Sequence, residues 1–210
     1  MGRYTDAVCR LCRRQGEKLF LKGPRCNSPK CAMAKRPFPP GQQGETKKRQ
    51  KISNYGLQMK EKQKVKRMYG VLEKQFRRYF KIASKSKGVT GKVLLQLLER
   101  RLDNVVFRLG LGVSHAQARQ VVRHNFIYVN SKRVNIPSYL IDKDDLLEAR
   151  PKEKALAKLK ENLELSKDRS VPAWLEFDSG HLKAKVLRLP EKEDIPGVIQ
   201  EQLIVELYSK

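Results

Sequence analysis

The sequence predicts an α+β fold, in which a basic, helical N-terminal part is followed by a helix-turn-helix-hairpin unit on a small antiparallel sheet. Apolar residues recur at helical spacing between residues 51 and 124, and short apolar runs separated by turn residues follow. Charge is also uneven, because residues 1–100 hold 27 basic and 6 acidic residues, whereas residues 101–210 hold 19 and 16. We divide the chain into segments 1–50, 51–97 and 98–163, and expect residues 164–210 to continue the helical domain with short strands.

Segment 1–50 is basic, rich in glycine and proline, and lacks a regular apolar period. The run Arg36–Gly41 contains three prolines, so it is unsuited to a helix interior, because proline lacks the amide donor and clashes with the preceding turn. With so little apolar surface to bury, this segment needs a staple or a binding partner to hold one shape.

The cysteines of the chain provide a candidate staple, since all four lie in this segment: Cys9, Cys12, Cys26 and Cys31. Two, thirteen and four residues separate them, a spacing typical of a zinc knuckle with four thiolate ligands. We expect one structural zinc ion, because four thiolates leave no open position for a catalytic water. Nearby cations should favour the thiolate form, namely Arg10, Arg13, Arg14 and Lys30.

Two other uses of the cysteines are less consistent with the sequence. Disulfide bonds are disfavoured because the first ten residues lack the apolar core of an export signal. Unrelated reduced thiols are disfavoured because all four fall within the first 31 residues.

Segment 51–97 is predicted to be helical, with a break between two helices at Tyr69–Gly70. An apolar stripe at three- and four-residue steps should form its core, namely Tyr69, Leu72, Phe76 and Phe80. Lysine and arginine cover the remaining faces more densely than a solvated surface requires, which favours contact with phosphate groups.

Segment 98–163 is predicted to contain the helix-turn-helix-hairpin unit. A helix capped by Thr90 and closed by Gly110 carries one apolar face, formed by Leu98, Leu102, Val105 and Leu109. A second helix begins after Ser114, where Gln117 suggests a capping box, and ends near Asn125. The hairpin follows, with strands predicted at Phe126–Val129 and Arg133–Ile136 around an Asn130–Lys132 turn.

The remaining residues are predicted to form a turn, a helix and several short strands. A polar turn at Asp142–Asp145 precedes a short strand, and a helix of mixed charge spans residues 151–168. Partial alternation then predicts three strands, at Ala173–Phe177, Lys183–Leu189 and Gln202–Tyr208.

The formal net charge of +24 indicates a polyanionic partner, because so many unneutralised cations repel one another. Nucleic acid fits better than a membrane, since no run of about 18 apolar residues exists and the cations are spread over several helices. We therefore expect a cytoplasmic, nucleic-acid-binding protein without a small-molecule substrate. Candidate RNA contacts are Arg13, Arg14, Lys47, Lys48, Arg49, Lys62, Lys66, Arg77, Arg78, Arg100, Arg101, Arg108, His115, Arg119 and Arg123.

Sequence signs of catalysis are few. The glycine-rich phosphate loop, the nucleophile elbow and the histidine-glutamate zinc motif are absent from the sequence. Arg101–Asp103 superficially resembles the aspartate motif of pseudouridine synthases, but the threonine and glycine that follow there are missing here. We expect Asp103 to pair with a neighbouring arginine. An RNA-modifying enzyme and a zinc-dependent DNA-binding regulator remain the alternatives to a structural RNA-binding protein.

Several stretches of this chain together resemble one family, the universal small-subunit ribosomal protein family S-four in its bacterial form. The resemblance is carried by the four cysteines and by residues 36–44, 55–58, 61–64, 69–73, 75–80, 97–106, 116–120, 122–124 and 201–206. Many members of that family lack the cysteines, so the zinc expectation depends on the residues of this chain. Asn130–Ser131 also stands where Asn-Gly is expected, which predicts a less tight hairpin turn.

The resemblance implies more than spacing and charge do. It implies binding to the 5′ domain of small-subunit ribosomal RNA at a multi-helix junction, early in assembly. It also implies contact with the fifth small-subunit protein, at an interface that affects decoding accuracy, and a position along the path of the incoming messenger RNA. The module at 98–163 recurs in other RNA-binding proteins.

Overall fold

The computed structural model describes residues 2–46, 52–167, 169–195 and 199–209, which form helices and one antiparallel sheet. The helices are α1 Cys9–Gln15, α2 Ala32–Lys35, α3 Asn54–Met68, α4 Glu73–Lys85, α5 Thr90–Glu99, α6 Leu102–Arg108, α7 His115–Arg123, α8 Glu153–Glu164 and α9 Glu201–Tyr208. The strands are β1 Ile127–Val129, β2 Lys132–Arg133, β3 Leu146–Ala149, β4 Leu175–Asp178 and β5 Lys183–Val186. Short 3-10 turns lie at Gly23–Cys26 and Lys192–Asp194. The predicted α+β class is confirmed.

Two compact units divide these elements. The first comprises the described residues up to Leu94 and those from Gly197 onward, and the second those between Leu95 and Pro196. Within the described part of the chain, no helix has the length and apolarity that crossing a bilayer requires.

The first unit is built on α3, α4 and α9. The Ser53 side chain accepts a hydrogen bond from the Gly56 amide at the start of α3, and Gly70, with φ of +60°, lies in the turn that follows α3. The predicted break between two helices is therefore confirmed. Phe76 and Tyr79 of α4 are buried, whereas Leu72 precedes the helix and is 43 % exposed, so its predicted place in the core was wrong.

Residues 202–208 form helix α9 and not the predicted strand. Ile204 is fully buried, and the Gln58 amide of α3 donates a hydrogen bond of 2.9 Å to Glu206 Oε2. The Tyr208 ring stacks on Phe80 with ring centroids 4.5 Å apart. Ile204 and Tyr208 are four residues apart, a spacing that places both on one face of a strand or of a helix, so packing against α3 decides the outcome.

Glu73 ties α4 to α3 and α9. Its carboxylate accepts hydrogen bonds from Lys62 at 2.9 Å, Lys66 at 3.0 Å and the Tyr208 hydroxyl at 2.9 Å. Burial acts to raise the pKa of Glu73, but these hydrogen bonds outweigh it and lower that pKa to about 2. Burial and the Glu73 hydrogen bond raise the pKa of Tyr208.

The second unit surrounds one apolar core, in which α6, α7 and α8 pack with the sheet. The described residues form a five-stranded sheet in the order β2-β1-β3-β5-β4, with all neighbours antiparallel. Strand β5 pairs with β3, for example Ala184 with Leu147, and β4 pairs with β5 at the edge of the sheet. The expectation that residues 164–210 continue the helical domain therefore fails for the described residues before Pro196, which belong to the second unit.

The hairpin is tighter than the sequence predicted. Asn130 and Ser131 have φ of +49° and +62°, as a two-residue turn requires, and strand β2 begins already at Lys132. The Asn130 side chain stabilises this turn by donating to Asp145 Oδ1 at 2.7 Å and accepting from the Leu146 amide at 2.9 Å.

The predicted single helix from Thr90 to Gly110 is two helices, α5 and α6, separated at Arg101. Arg101 has extended backbone and forms a bridge with Leu140, while the Leu102 amide donates to the Tyr139 carbonyl at 2.9 Å. The helix is interrupted because the buried Arg101 side chain bonds locally to Asp103, at 2.6 Å and 3.0 Å. Arg119 of α7 also reaches Asp103 Oδ2, at 3.2 Å.

Replacing Asp103 with asparagine should destabilise the second unit strongly. The change leaves the guanidinium groups of Arg101 and Arg119 buried without their counter-charge, which costs about 3–5 kcal/mol. Urea unfolding followed by fluorescence of the single tryptophan, Trp174, which is buried in this core, measures the loss. The control is Asp142→Asn, whose side chain pairs with Arg100 but is 71 % exposed, and should cost less than about 1 kcal/mol. Equal losses in the two variants contradict the assignment.

Acid should weaken the first unit through Glu73. Since its pKa is about 2 in the native chain, stability that is present above pH 4.5 is lost as the pH falls toward 2. Glu73→Gln should remove this acid-dependent part, of the order of 1 kcal/mol because the side chain is 39 % exposed and screened by solvent. Urea unfolding by circular dichroism at pH 3 and pH 6 gives the comparison, with exposed Glu176→Gln as control. An unchanged pH dependence in Glu73→Gln contradicts this assignment.

Candidate nucleic-acid interface

One face of α4 carries a row of exposed cations, which we call the α4 cation stripe: Lys74, Arg77, Arg78, Lys81 and Lys85. Their spacing of three and four residues places them on one side of the helix, opposite the buried Phe76, Tyr79 and Ala83. None of the five forms an ion pair within the residues that the structure describes. Two of them, Arg77 and Arg78, were predicted as RNA contacts from the sequence. The other three were not, although their regular spacing along the helix could have identified them.

A second basic surface lies at the hairpin of the second unit. Arg123 at the end of α7 is exposed, as are Lys132 and Arg133 of β2. The Arg133 Nε donates to Asn125 Oδ1 at 3.0 Å, which orients the guanidinium group beside the end of α7. Arg123 was predicted from the sequence, whereas the two β2 residues were not, because a strand of two residues has no readable period.

Several predicted contact residues are instead committed to the fold. Arg101 and Arg119 are 2 % and 8 % exposed and share the Asp103 carboxylate, as expected for Asp103. Burial lowers the pKa of Arg119 although Asp103 acts to raise it. Their burial argues against direct phosphate contacts by these two arginines.

Arg108 has a similar structural role through the fully buried Glu99. The guanidinium forms a two-pronged ion pair with the Glu99 carboxylate, at 2.5 Å and 3.0 Å. The Asn104 side chain donates to the same carboxylate at 2.6 Å. This network fixes the junction between α5 and α6.

The other predicted cations divide between structural and exposed positions. Lys62 and Lys66 pair with Glu73, and Arg100 bonds the Ile141 carbonyl and the Asp142 carboxylate. Arg14 is exposed. Lys47, Lys48 and Arg49 lie outside the described residues.

His115 is held in an aromatic stack, with its ring centroid 3.8 Å from that of Phe107. The Arg169 guanidinium carbon lies 4.0 Å from the Phe107 centroid. Burial lowers the pKa of His115 well below its ordinary value, and the nearby Arg108, Arg169 and Arg101 lower it further. This shift favours the neutral imidazole and argues against His115 as a charged contact to phosphate.

The four cysteines form no disulfide bond in this structure, and Cys12, Cys26 and Cys31 are buried. Burial is the main cause that raises the pKa of Cys12, and the thiols of Cys26, Cys9 and Cys31 raise it further. Burial also raises the pKa of Cys26, although the Lys22 amide and the Lys18 charge act to lower it. A nearby cation therefore favours the thiolate of Cys26, but burial has the larger effect.

Backbone groups around the cysteines can orient their sulfur atoms. Backbone amides reach two of the sulfurs, since Leu19 donates to Cys12 and Lys22 donates to Cys26 Sγ at 3.4 Å. In the described residues, no three His, Cys, Asp or Glu side chains are already arranged to hold a metal ion. The donor types themselves suit zinc, because cysteine sulfur is a common ligand of structural zinc ions and all four cysteines lie in one short segment.

Two family models and several full-length relatives match this chain. The model of the ribosomal protein S4/S9 N-terminal domain matches residues 3–99, and the model of the S4 domain matches residues 100–147. Small ribosomal subunit protein uS4 of Dictyoglomus turgidum is 58 % identical to this chain, and that of Acetivibrio thermocellus is 57 % identical. The uS4 protein of Thermodesulfovibrio yellowstonii is 54 % identical. Each alignment covers all of both chains. The chain therefore belongs to the small ribosomal subunit protein uS4 family.

Proposed function

We propose that this chain is a structural protein of the small ribosomal subunit that binds the RNA of that subunit. The observation that carries the proposal is the α4 cation stripe, five exposed positive charges on an ordered helix without ion pairs among the described residues. The relatives are named as small ribosomal subunit proteins over their full length, which supports the same role and the location in that subunit.

The binding mechanism is phosphate neutralisation by cations held on rigid elements. Each phosphate contact releases condensed counterions, so affinity falls as the salt concentration rises. Guanidinium groups on α4 and at the hairpin present forked donors that match phosphate oxygens. Shape should be read more than base sequence, because side chains enter the deep groove of an RNA helix poorly.

The more detailed roles rest on the family resemblance of the sequence. We propose the multi-helix junction of the 5′ domain as the binding site, with binding early in assembly. The fifth small-subunit protein and the incoming messenger RNA are the proposed neighbours. Chemical footprinting on isolated small-subunit RNA tests the junction, where protection confined to another domain would contradict it.

The two alternatives have less support. Asp103, the candidate catalytic residue of an RNA-modifying enzyme, is buried between two arginines and is only 6 % exposed. The relatives are named as ribosomal proteins and not as enzymes or DNA-binding regulators.

We also propose that the four cysteines hold one structural zinc ion. Cys9, Cys12, Cys26 and Cys31 would be the ligands, and the ion, when bound, would cross-link the segment between α1 and α2. Amide hydrogen bonds to Cys12 and Cys26 support the site, since such bonds orient thiolate ligands around a metal. Zinc binding would contribute directly to the folding of this proline-rich segment.

Removing three charges from the α4 cation stripe should weaken RNA binding. Each lost phosphate contact lowers the slope of log affinity against log salt by about 0.7–0.9, so Arg78→Gln, Lys81→Gln and Lys85→Gln together should lower it by about 2. Affinity near 0.15 M salt should fall at least about tenfold. Filter binding to isolated small-subunit RNA across a salt series measures both quantities.

The matched control removes three exposed lysines from α8 and its end, where acidic residues alternate with them: Lys154→Gln, Lys160→Gln and Lys167→Gln. This control should change the slope by less than about 1. A wild-type affinity that does not respond to salt contradicts RNA binding through phosphates. Equal effects of the two triple variants contradict the role of α4.

Elemental analysis tests the zinc site. The purified wild-type chain should contain one zinc ion, and the Cys9→Ser, Cys26→Ser variant should contain none. Amide hydrogen exchange within residues 2–46 should quicken in the variant, whereas exchange in the second unit should not change, because the cross-link is local. Full zinc content in the variant, or none in a wild-type chain purified with zinc, contradicts the site.

A further inference from the structure

A cationic cleft of about 530 Å³ lies in the cysteine-bearing segment of the first unit. Its lining consists of one alanine and five basic residues, which we call the knuckle cleft: Arg13, Arg25, Lys30, Ala32, Lys35 and Arg36. Four of these five cations were not among the contacts predicted from the sequence, because the segment has no period from which a shared face could be read.

The cysteine positions build this cleft. Arg13 follows Cys12, Arg25 precedes Cys26 and Lys30 precedes Cys31, so three of the lining cations adjoin a buried cysteine in the chain. Burial of these cysteines fixes the backbone from which the cations extend.

Hydrogen bonds hold two of the lining side chains in place. Arg13 donates to the Phe38 carbonyl at 3.0 Å and to the Pro39 carbonyl at 3.3 Å, and its guanidinium carbon lies 4.9 Å from the centroid of the Phe38 ring. Arg25 Nε donates to the Lys30 carbonyl at 3.4 Å. Two of the five lining cations are therefore oriented by contacts within the segment.

The uncompensated positive charge of the cleft favours an anionic ligand. No carboxylate is among the lining residues, and Lys30, Lys35 and Arg36 form no ion pair within the described chain. The surrounding residues 2–46 add to the field, since they contain ten basic and three acidic residues. Mutual repulsion of so many cations is relieved most by a ligand with several negative charges.

The size of the cleft limits the form of that ligand. Its volume lies in the range of about 300–1,000 Å³ that small ligands occupy, so it admits nucleotide units but not a double helix. Guanidinium and ammonium groups suit phosphate oxygens, and the aliphatic stems with Ala32 offer apolar surface to a sugar or base. The excess of positive charge around the cleft favours a continuous strand over one small anion.

We propose that the knuckle cleft binds consecutive phosphates of a single RNA strand. The proposal rests on the proposed function and deepens it, by adding a single-strand site to the contact made by α4. With such a site, the cysteine-bearing segment would bind unpaired RNA as well as having a structural role.

The test uses one triple variant, the cleft variant, which carries Lys30→Gln, Lys35→Gln and Arg36→Gln. It is compared with the α8 control variant, which also loses three positive charges. Two probes are used, isolated small-subunit RNA and a ten-nucleotide oligouridylate, each across a salt series. The cleft variant should bind both about tenfold or more weakly, with a salt slope lower by about 2, while the control stays close to wild type. Since the three side chains are exposed, its thermal midpoint should match that of the control.

A third probe, inorganic tripolyphosphate, separates a strand from free phosphate. It should compete with oligouridylate only at millimolar concentrations. Strong tripolyphosphate binding with unaltered RNA affinity in the cleft variant overturns the proposal in favour of a free-phosphate site. Equal RNA affinity of the cleft and control variants also overturns it, and leaves the proposed function standing. A wild-type chain that does not bind small-subunit RNA overturns both.

Discussion

The Asp103 carboxylate, shared by Arg101 and Arg119 inside the second unit, is the interaction on which the rest of that unit depends. It ends one helix and starts the next, because Arg101 turns away from helical geometry to reach it. The same carboxylate fixes α7 through Arg119. A strongly basic chain can bury arginine only where such a counter-charge is available.

This constraint sorts the cations of the chain into two groups. Glu73 and Glu99 neutralise further lysines and arginine within the fold, in partly or fully buried positions. The cations of the α4 stripe and of the knuckle cleft are left without carboxylate partners among the described residues. Structural cations thereby hold the surfaces rigid, and the others remain available to phosphate groups. Because the chain has far fewer acidic than basic residues, its carboxylates neutralise only some of the cations, among them those that hold the fold together, and unneutralised cations form the binding surface.

The sequence predicted this architecture where local rules decide it. The helix start at Ser114 and the break near Gly70 follow from capping and turn chemistry, and both are found. The hairpin at Asn130 is also found, with a shorter turn than the sequence predicted. The sequence-based predictions were wrong where tertiary contacts determine the secondary structure. The segment at Ile204 becomes helical by packing on α3, and Arg101 breaks a continuous apolar period to reach a carboxylate two residues away.

For the interface, the sequence indicated the partner class but not which cations face it. Burial separates Lys62 from Lys74, although both lie in a basic helical segment. Chemical modification of lysines, followed by mass spectrometry in the free chain and with small-subunit RNA, tests this sorting directly. Lys74, Lys81 and Lys85 should react quickly when free and become protected by RNA, whereas Lys62 should react slowly in both states. Rapid modification of Lys62 in the folded chain, or no protection of the α4 lysines, would contradict the account.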